Sequence, residues 1–420
     1  MVPNGWERKP IKELCESIID CVNKTAKHVD YVTPFKMIRT TNVRHGRVDT
    51  NNVRYVEEDT YKQWIRRGAP KDGDIIFTRE APVGEAGILE NAQGIFLGQR
   101  TMMYRSHTER SDNRYLFYSL MSGYCQKQIE DFSNGGTVAH MRVPDCGELI
   151  INTPPLPEQR KIAKILSTWD KAIATTEKLI ETSKQQKKAL MQQLLTGKNR
   201  LVNPKTGKAF EGEWGEVRLG ELGQTFTGLT GKTKEDFGSG AKYIPYINIF
   251  NNSSVNTAKL EKVNVGSEEK QNFVQFGDVF FTTSSETPDE VGMSSVMLSE
   301  PEEPIYLNSF CFGFRPNDTS TVIPEFMQYL LRSSRVRRSI SVLAQGATRY
   351  NLSKVQLLKI NLLLPTSGEQ KKIASVLTAA DRDIEVLESK LAHFKQEKKA
   401  LMQQLLTGKR CVKVDEEVAA

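Results

Sequence analysis

Between Gln159 and Leu195 the apolar and small residues fall at alternating steps of three and four: Ile162, Leu166, Trp169, Ile173, Thr176, Ile180, Ser183, then Leu190 and Leu194. The pattern returns near the end of the chain as Ile373, Leu377, Ala380, Ile384, Leu387, Leu391, Phe394, then Leu401 and Leu405. Such spacing makes a heptad seam, in which an α-helix turns one narrow apolar edge toward a partner. No proline interrupts either run. Pro157 and Pro365 stand just ahead, and Gly197 and Gly408 stand where a C-terminal cap belongs. Each predicted helix is roughly 55 Å long at about 1.5 Å per residue. Lys187 and Lys398 break the seam at matching places. So narrow a seam needs a partner. The two helices can pack on each other; alternatively each folds onto its own domain or pairs with another chain.

The match extends to wording. Lys187 to Lys198 recurs unchanged from Lys398 to Lys409, an offset of 398 − 187 = 211. The same offset carries Glu158-Gln159 onto Glu369-Gln370 and Asp170 onto Asp381. An internal repeat sets the architecture before any other feature is weighed. The segments ahead of the helices correspond more weakly. Each opens on a tryptophan, Trp6 and Trp214, and each has an extended stretch holding an asparagine, Asn42 and Asn248. Each starts a strand at Gly-Asp (Gly73-Asp74, Gly277-Asp278) and has a helical stretch (Arg114 to Ile129, Pro324 to Ile340). A Gly-x-Thr turn follows in each (Gly135 to Thr137, Gly346 to Thr348), then an apolar strand into a proline. Mixed strands and helices predict an α/β or α+β class. The expected order is a globular domain at 1–157, a long helix at 158–198, a linker at 199–212, a second globular domain at 213–368, a second long helix at 369–409 and a tail at 410–420.

Composition narrows the class only a little. The 420 residues are 38% hydrophobic and 26% charged, as expected of a chain with proper cores and more than one domain. A net charge of +7 fits a polyanionic partner without requiring one. The first residues have no signal-peptide pattern, and no stretch approaches the roughly 20 apolar residues of a membrane span. The six cysteines have no Cys-x-x-Cys spacing, which suits reduced thiols in the cytoplasm. Catalytic motifs are missing. Gly228-Leu229-Thr230-Gly231-Lys232-Thr233 has two residues between its glycines where a phosphate-cradling loop needs four. The five histidines do not cluster, so no metal site is expected. There is no nucleophile elbow and no loop of the kind that holds an exocyclic amine for methylation.

Signals for nucleic acid are stronger. From Phe326 to Gly368 there is no Asp or Glu, while Arg332, Arg335, Arg337, Arg338, Arg349, Lys354 and Lys359 supply cations that can neutralise phosphates. Arg332, Arg335 and Arg338 share a face if that stretch is helical. In the first domain Arg39, Arg44, His45 and Arg47 surround Asn42, and arginine and asparagine are the residues that read guanine and adenine edges. Arg79 is expected to project from a constrained loop after a strand, and Asn248 to repeat the role of Asn42. The candidate DNA contacts are therefore Arg39, Asn42, Arg44, Arg47, Arg79, Asn248, Arg335, Arg338 and Arg349. The candidate spacer and partner-binding positions are Ile162, Leu166, Trp169, Ile173, Ile373, Leu377, Ile384 and Leu387.

Taken together, the helix starts Leu156 to Ala163 and Gly368 to Ala374, the doubled Leu-Met-Gln-Gln-Leu-Leu-Thr-Gly-Lys helix ends and the Gly-x-Thr turns resemble the specificity subunit of Type I restriction-modification enzymes. The resemblance spans essentially the whole chain. It implies two target-recognition domains in tandem, separated by two long antiparallel coiled-coil helices with pseudo-twofold internal symmetry. It implies a chain that is not itself an enzyme, reads a bipartite asymmetric site on double-stranded DNA and docks two methyltransferase subunits. Restriction subunits would join in the full complex, and S-adenosylmethionine, ATP and Mg would be carried by those partners, with no cofactor on this chain. The other reading open to the sequence is a coiled-coil scaffold with basic nucleic-acid-binding domains. At the helix starts the copies differ: Pro157-Glu158 becomes Gly368-Glu369, with Pro365 moved upstream.

Overall fold

The computed structural model describes residues 2–133 and 139–413. Two helices of 39 residues dominate it, Leu156–Leu194 and Ser367–Leu405. The chain divides into two compact units, one comprising Met1–Lys178 with Ser389–Ala420, the other Leu179–Glu388. Each unit thus holds a globular domain, part of one long helix and the complementary part of the other.

In the first unit, strands Cys15–Asp20, Thr101–Ser106, Ile75–Arg79 and Val83–Ile88 form an antiparallel sheet in that spatial order. A smaller sheet places Lys36–Ile38 between Arg54–Tyr55 (antiparallel) and Ile95–Leu97 (parallel). Glu7–Pro10 closes the domain by pairing with Ile150–Thr153. The second unit repeats all three arrangements. Its four-stranded sheet runs Gly223–Thr227, Cys311–Pro316, Val279–Thr282, Ser294–Val296. Its three-stranded sheet centres on Phe237–Ile244, and Gly215–Arg218 pairs with Asn361–Leu364. The central strands are β-branched and aromatic, as in Ile75-Ile76-Phe77 and Val279-Phe280-Phe281, and are fully buried. The predicted helical stretches each resolve into two helices, Asn113–Leu120 with Gly123–Ser133 and Pro324–Leu330 with Ser334–Ser341.

The Gly-Asp strand starts now have a cause. Asp74 accepts two bonds from the Arg105 guanidinium (2.9 and 2.7 Å) and one from Lys71 N (2.7 Å). Asp278 does the same with Arg315 (2.7 and 2.7 Å) and Gln275 N (2.8 Å). Each carboxylate closes a turn and ties two strands together.

The long helices are consumed within the chain. In the first unit Ile162, Ala163 and Leu166 share a core with Phe77 and Tyr104, and Leu405 and Leu406 from the end of the second helix enter that same core. Trp169 packs edge-on against Phe394 (5.6 Å). In the second unit Ile373, Ala374 and Leu377 share a core with Phe281 and Phe326, joined by Leu194 and Leu195. The start of one helix therefore lies with the end of the other, so the helices run antiparallel. Packing on each other and folding onto the domains both occur. Ile173 and Ile384 are buried and Leu387 half-buried. As seam positions these residues build the long-helix packing; Ile162, Leu166, Ile173, Ile373, Leu377 and Ile384 are buried within the chain, and Trp169 and Leu387 keep part of their surface exposed.

The repeated words mark repeated bonds. Gln159 donates to Pro154 O (2.9 Å) and Arg110 O (3.2 Å) and accepts from Asp112 N (2.9 Å). Gln370 donates to Pro365 O (2.9 Å) and Thr321 O (3.1 Å) and accepts from Ile323 N (3.0 Å). The two lysines that break the seam reach the facing helix. Lys398 binds Asp170 (2.5 Å), which also accepts from Tyr118 (2.6 Å). Lys187 binds Asp381, which also accepts from Tyr329 (2.8 Å). Each ammonium lies over its tyrosine ring, at 5.2 and 5.3 Å. One polar cluster per unit thus links both helices to the domain. Beyond the helices Gly197 and Gly408 take φ of 70° and 73°, as a C-terminal cap requires. At Gly408 a Cβ would also strike Pro3.

Candidate nucleic-acid interface

Side chains free to meet a phosphate or base must be exposed and unspent, and this sorts the candidates sharply. Asn42 is buried; its Oδ1 accepts from Arg39 N (3.0 Å), and its Nδ2 donates to Asn52 O (2.8 Å) and Asp49 O (3.2 Å). Asn248 is buried likewise, donating to Asn256 O (2.9 Å) and Lys259 O (3.0 Å) and accepting from Asn256 N (3.0 Å). Both expectations of base reading are corrected. These amides staple the loop after the central strand of each three-stranded sheet, and no edge is left for a base.

Arg79 does not project. It is 7% exposed, donates to Met141 O (3.2 Å) and pairs with Asp20 (3.0 Å). Arg44 folds back on Thr40 O (2.7 Å) and Val43 O (2.9 Å). Arg47 is exposed but leans on Glu177 of the first long helix (2.9 Å), which also holds Lys395 (2.9 Å). The Lys395 bond, with Arg47 behind it, keeps the Glu177 carboxyl below its usual range.

In the acid-free stretch the expected shared face breaks up. Arg332 precedes the Ser334–Ser341 helix, and its guanidinium donates to Ser294 O, Ile249 O, Asn252 O and Phe250 O at 2.7, 2.7, 2.8 and 3.1 Å. Burial pulls it down to about 10. Arg337 is spent on Gly292 O (2.6 Å), Val291 O (2.6 Å) and Asp289 O (2.8 Å). Arg335 and Arg338 lie on the outer face of the helix, exposed and with no acidic partner among the described residues. Arg349 is exposed in the loop closed by the Gln345–Asn351 bridge and makes one bond, to Ser284 (3.2 Å). This loop contains the second Gly-x-Thr turn; the first, Gly135 to Thr137, lies outside the described residues.

In the first unit the cations converge elsewhere, with Arg54 and Arg100 exposed and Arg39 half-buried. A pocket of about 300 Å³ is lined by Arg39, Arg54 and Arg100 together with Thr40, Thr41 and Gln99. Sequence reasoning finds Arg39 and misses the other two. Arg54 sits on a two-residue strand, and Arg100 takes a left-handed φ of 68° that no sequence pattern announces.

Among the described residues no group of three or more His, Cys, Asp or Glu is placed to hold a metal, and no helix is long and apolar enough to cross a membrane. The six cysteines are free; burial pushes the Cys15, Cys125 and Cys146 thiols up to about 12, far from a reactive range.

Comparison with known proteins accords with this geometry. The family model described as the Type I restriction modification DNA specificity domain matches twice, over residues 3–185 and 211–396. The Type I restriction enzyme MjaVIII specificity subunit of Methanocaldococcus jannaschii is 28% identical over 370 residues, covering 84% of this chain and 85% of that protein. The Type I restriction-modification system S subunit from M. genitalium shares the fold at a TM-score of 0.56 and 17% identity, covering 97% of this chain and 98% of that one. A chain solved in work on complex assembly and conformational transition of the type I R-M system gives 0.60 and 17%, covering 98% and 100%.

Proposed function

The chain belongs to the family of Type I restriction-modification DNA specificity domains, and from that premise we propose that each unit reads one half of a split, asymmetric site on double-stranded DNA. As a specificity subunit it recognises and does not catalyse. Two methyltransferase subunits dock on the long helices and bring S-adenosylmethionine; restriction subunits bring ATP and Mg. The complex works in the cytoplasm.

One observation carries the asymmetry. The two units repeat their sheets strand for strand, yet the residues presented at matching positions differ in charge, with Arg54 facing Met37 where Glu261 faces Tyr243. One frame carrying two sets of side chains suits two unlike half-sites. In symmetric repressors a fixed dimer geometry sets half-site spacing at about one helical turn of DNA; in this reading the long helices are the element that sets the gap. Adding or deleting one turn in a long helix therefore changes the gap in the methylated site and leaves both half-site sequences alone. Methylation mapping of such a variant reads this directly; an altered half-site with an unchanged gap contradicts it.

A further inference from the structure

The three-stranded sheet of the first unit sends three arginines to one edge. Arg39 follows Lys36–Ile38, and Arg100 follows the parallel strand Ile95–Leu97. Arg54 begins the antiparallel strand that pairs with Met37. Parallel strands deliver the residues after them to the same edge, and an antiparallel neighbour delivers its first residue there too. The Arg39 Nε is buried with no hydrogen-bond partner, and Arg54 has no acid within ion-pair reach among the described residues. Burial, then the charge of Arg54, holds the Arg39 guanidinium below its usual value. Arg100 pairs with Glu80 (3.3 Å), which is shared with His140 (3.5 Å). Two like charges and an orphaned donor around a cavity are costly unless an anion completes them.

The fold does not require this arrangement, because the second unit lacks it. Lys36 faces Ile95 as Lys242 faces Ile305, which sets Arg39 against Pro245. Arg54 facing Met37 matches Glu261 facing Tyr243. The Arg100 carbonyl accepts from Arg79 N (2.9 Å) as the Phe310 carbonyl accepts from Thr283 N (3.0 Å). Three arginines in one unit correspond to Pro, Glu and Phe in the other.

We propose that the Arg39–Arg54–Arg100 pocket is a phosphate-binding site of the first unit, filled by one backbone phosphate of bound DNA. Its DNA source rests on the function proposed above; the phosphate chemistry rests on the pocket alone. The guanidinium groups offer forked donors to phosphate oxygens, and Gln99, Thr40 and Thr41 add neutral side-chain hydrogen-bonding groups. Such a contact fixes the register of the unit on the duplex and carries no base information.

The test uses the full-length chain, a generic duplex and two variants. Arg39→Gln removes the half-buried cation with the unpartnered Nε. Arg54→Glu installs the residue type of the second unit at an exposed position, so that Arg39 is neutralised from within. Thermal unfolding checks that both variants fold. Each variant is expected to bind DNA about tenfold more weakly, with the slope of log affinity against log salt shallower by about 0.9, the loss of one phosphate contact. Wild-type affinity and slope in both variants overturn the proposal. If the wild-type chain binds no DNA, the DNA reading fails and inorganic phosphate decides the pocket. A phosphate-dependent rise in unfolding temperature that disappears in Arg54→Glu assigns the pocket to free phosphate; a rise equal in both chains, or none in either, overturns it.

Discussion

Arg315→Met lowers the stability of the second unit by about 3 kcal/mol, because it strands the Asp278 carboxylate in the core. Asp278 is 0% exposed, and Arg315 supplies two of its three hydrogen bonds. The loss lies at the low end of the range for a broken buried pair because Arg315 itself is 37% exposed. At about 2–4 °C per kcal/mol for a unit of this size, the unfolding temperature falls by roughly 6–12 °C. Burial already pushes the Asp278 carboxyl above its ordinary value, with the Arg315 bond opposing it. An acid with a raised folded pKa binds more protons folded than unfolded, so stability is lost as pH rises through the interval above the ordinary carboxylate value of about 3.9. Without Arg315 the rise is larger. The deficit of Arg315→Met is therefore greatest at neutral pH and shrinks toward mildly acidic pH. Urea unfolding of both chains at two pH values measures it, and an equal deficit at both contradicts a buried, uncompensated charge. Adding Asp278→Asn to Arg315→Met recovers much of the loss, since no buried charge then remains.

The largest functional effect falls on the second unit's basic helix. Reversing both Arg335 and Arg338 to Glu lowers affinity for duplex DNA on the order of 100-fold at moderate salt, because two attractive contacts become repulsive. Both side chains are exposed on the Ser334–Ser341 helix, so the fold is retained. The neutral pair Arg335→Gln and Arg338→Gln separates phosphate contact from base reading. It lowers the salt slope by about 1.8, two contacts at about 0.9 each, and weakens all sequences alike. A loss confined to one DNA sequence would instead make these arginines base readers, and an unchanged slope would remove them from the interface.

The long helices were legible in the sequence because their evidence is local and doubled. A step of three and four needs no distant partner to be recognised, and Lys187 to Lys198 repeats word for word. The purpose of Lys187 and Lys398 was not legible. Their aspartates lie 194 and 228 residues away, and only folding brings the pairs together. The site was read least well where residue type stood in for environment. Asn42, Asn248, Arg79 and Arg332 have the chemistry of DNA contacts, but buried loops need the same donors. Arg332 saturates carbonyls 38 to 83 residues away, which no local pattern reveals. Exposure separates Arg335 and Arg338 from Arg332 and Arg337, and the helical period alone did not, because Arg332 lies ahead of the helix. Arg54 and Arg100 were missed because the pocket is assembled from strand ends far apart in sequence.

The most direct test of the central claim is genome-wide mapping of methylated adenine by single-molecule sequencing, in a host expressing this chain with a methyltransferase subunit it binds. Two different recognition units on one spacer predict a single new bipartite motif, with unlike halves, one methylated adenine in each and a fixed gap. A stable complex that methylates no new motif, or one that methylates a continuous or symmetric site, contradicts the account.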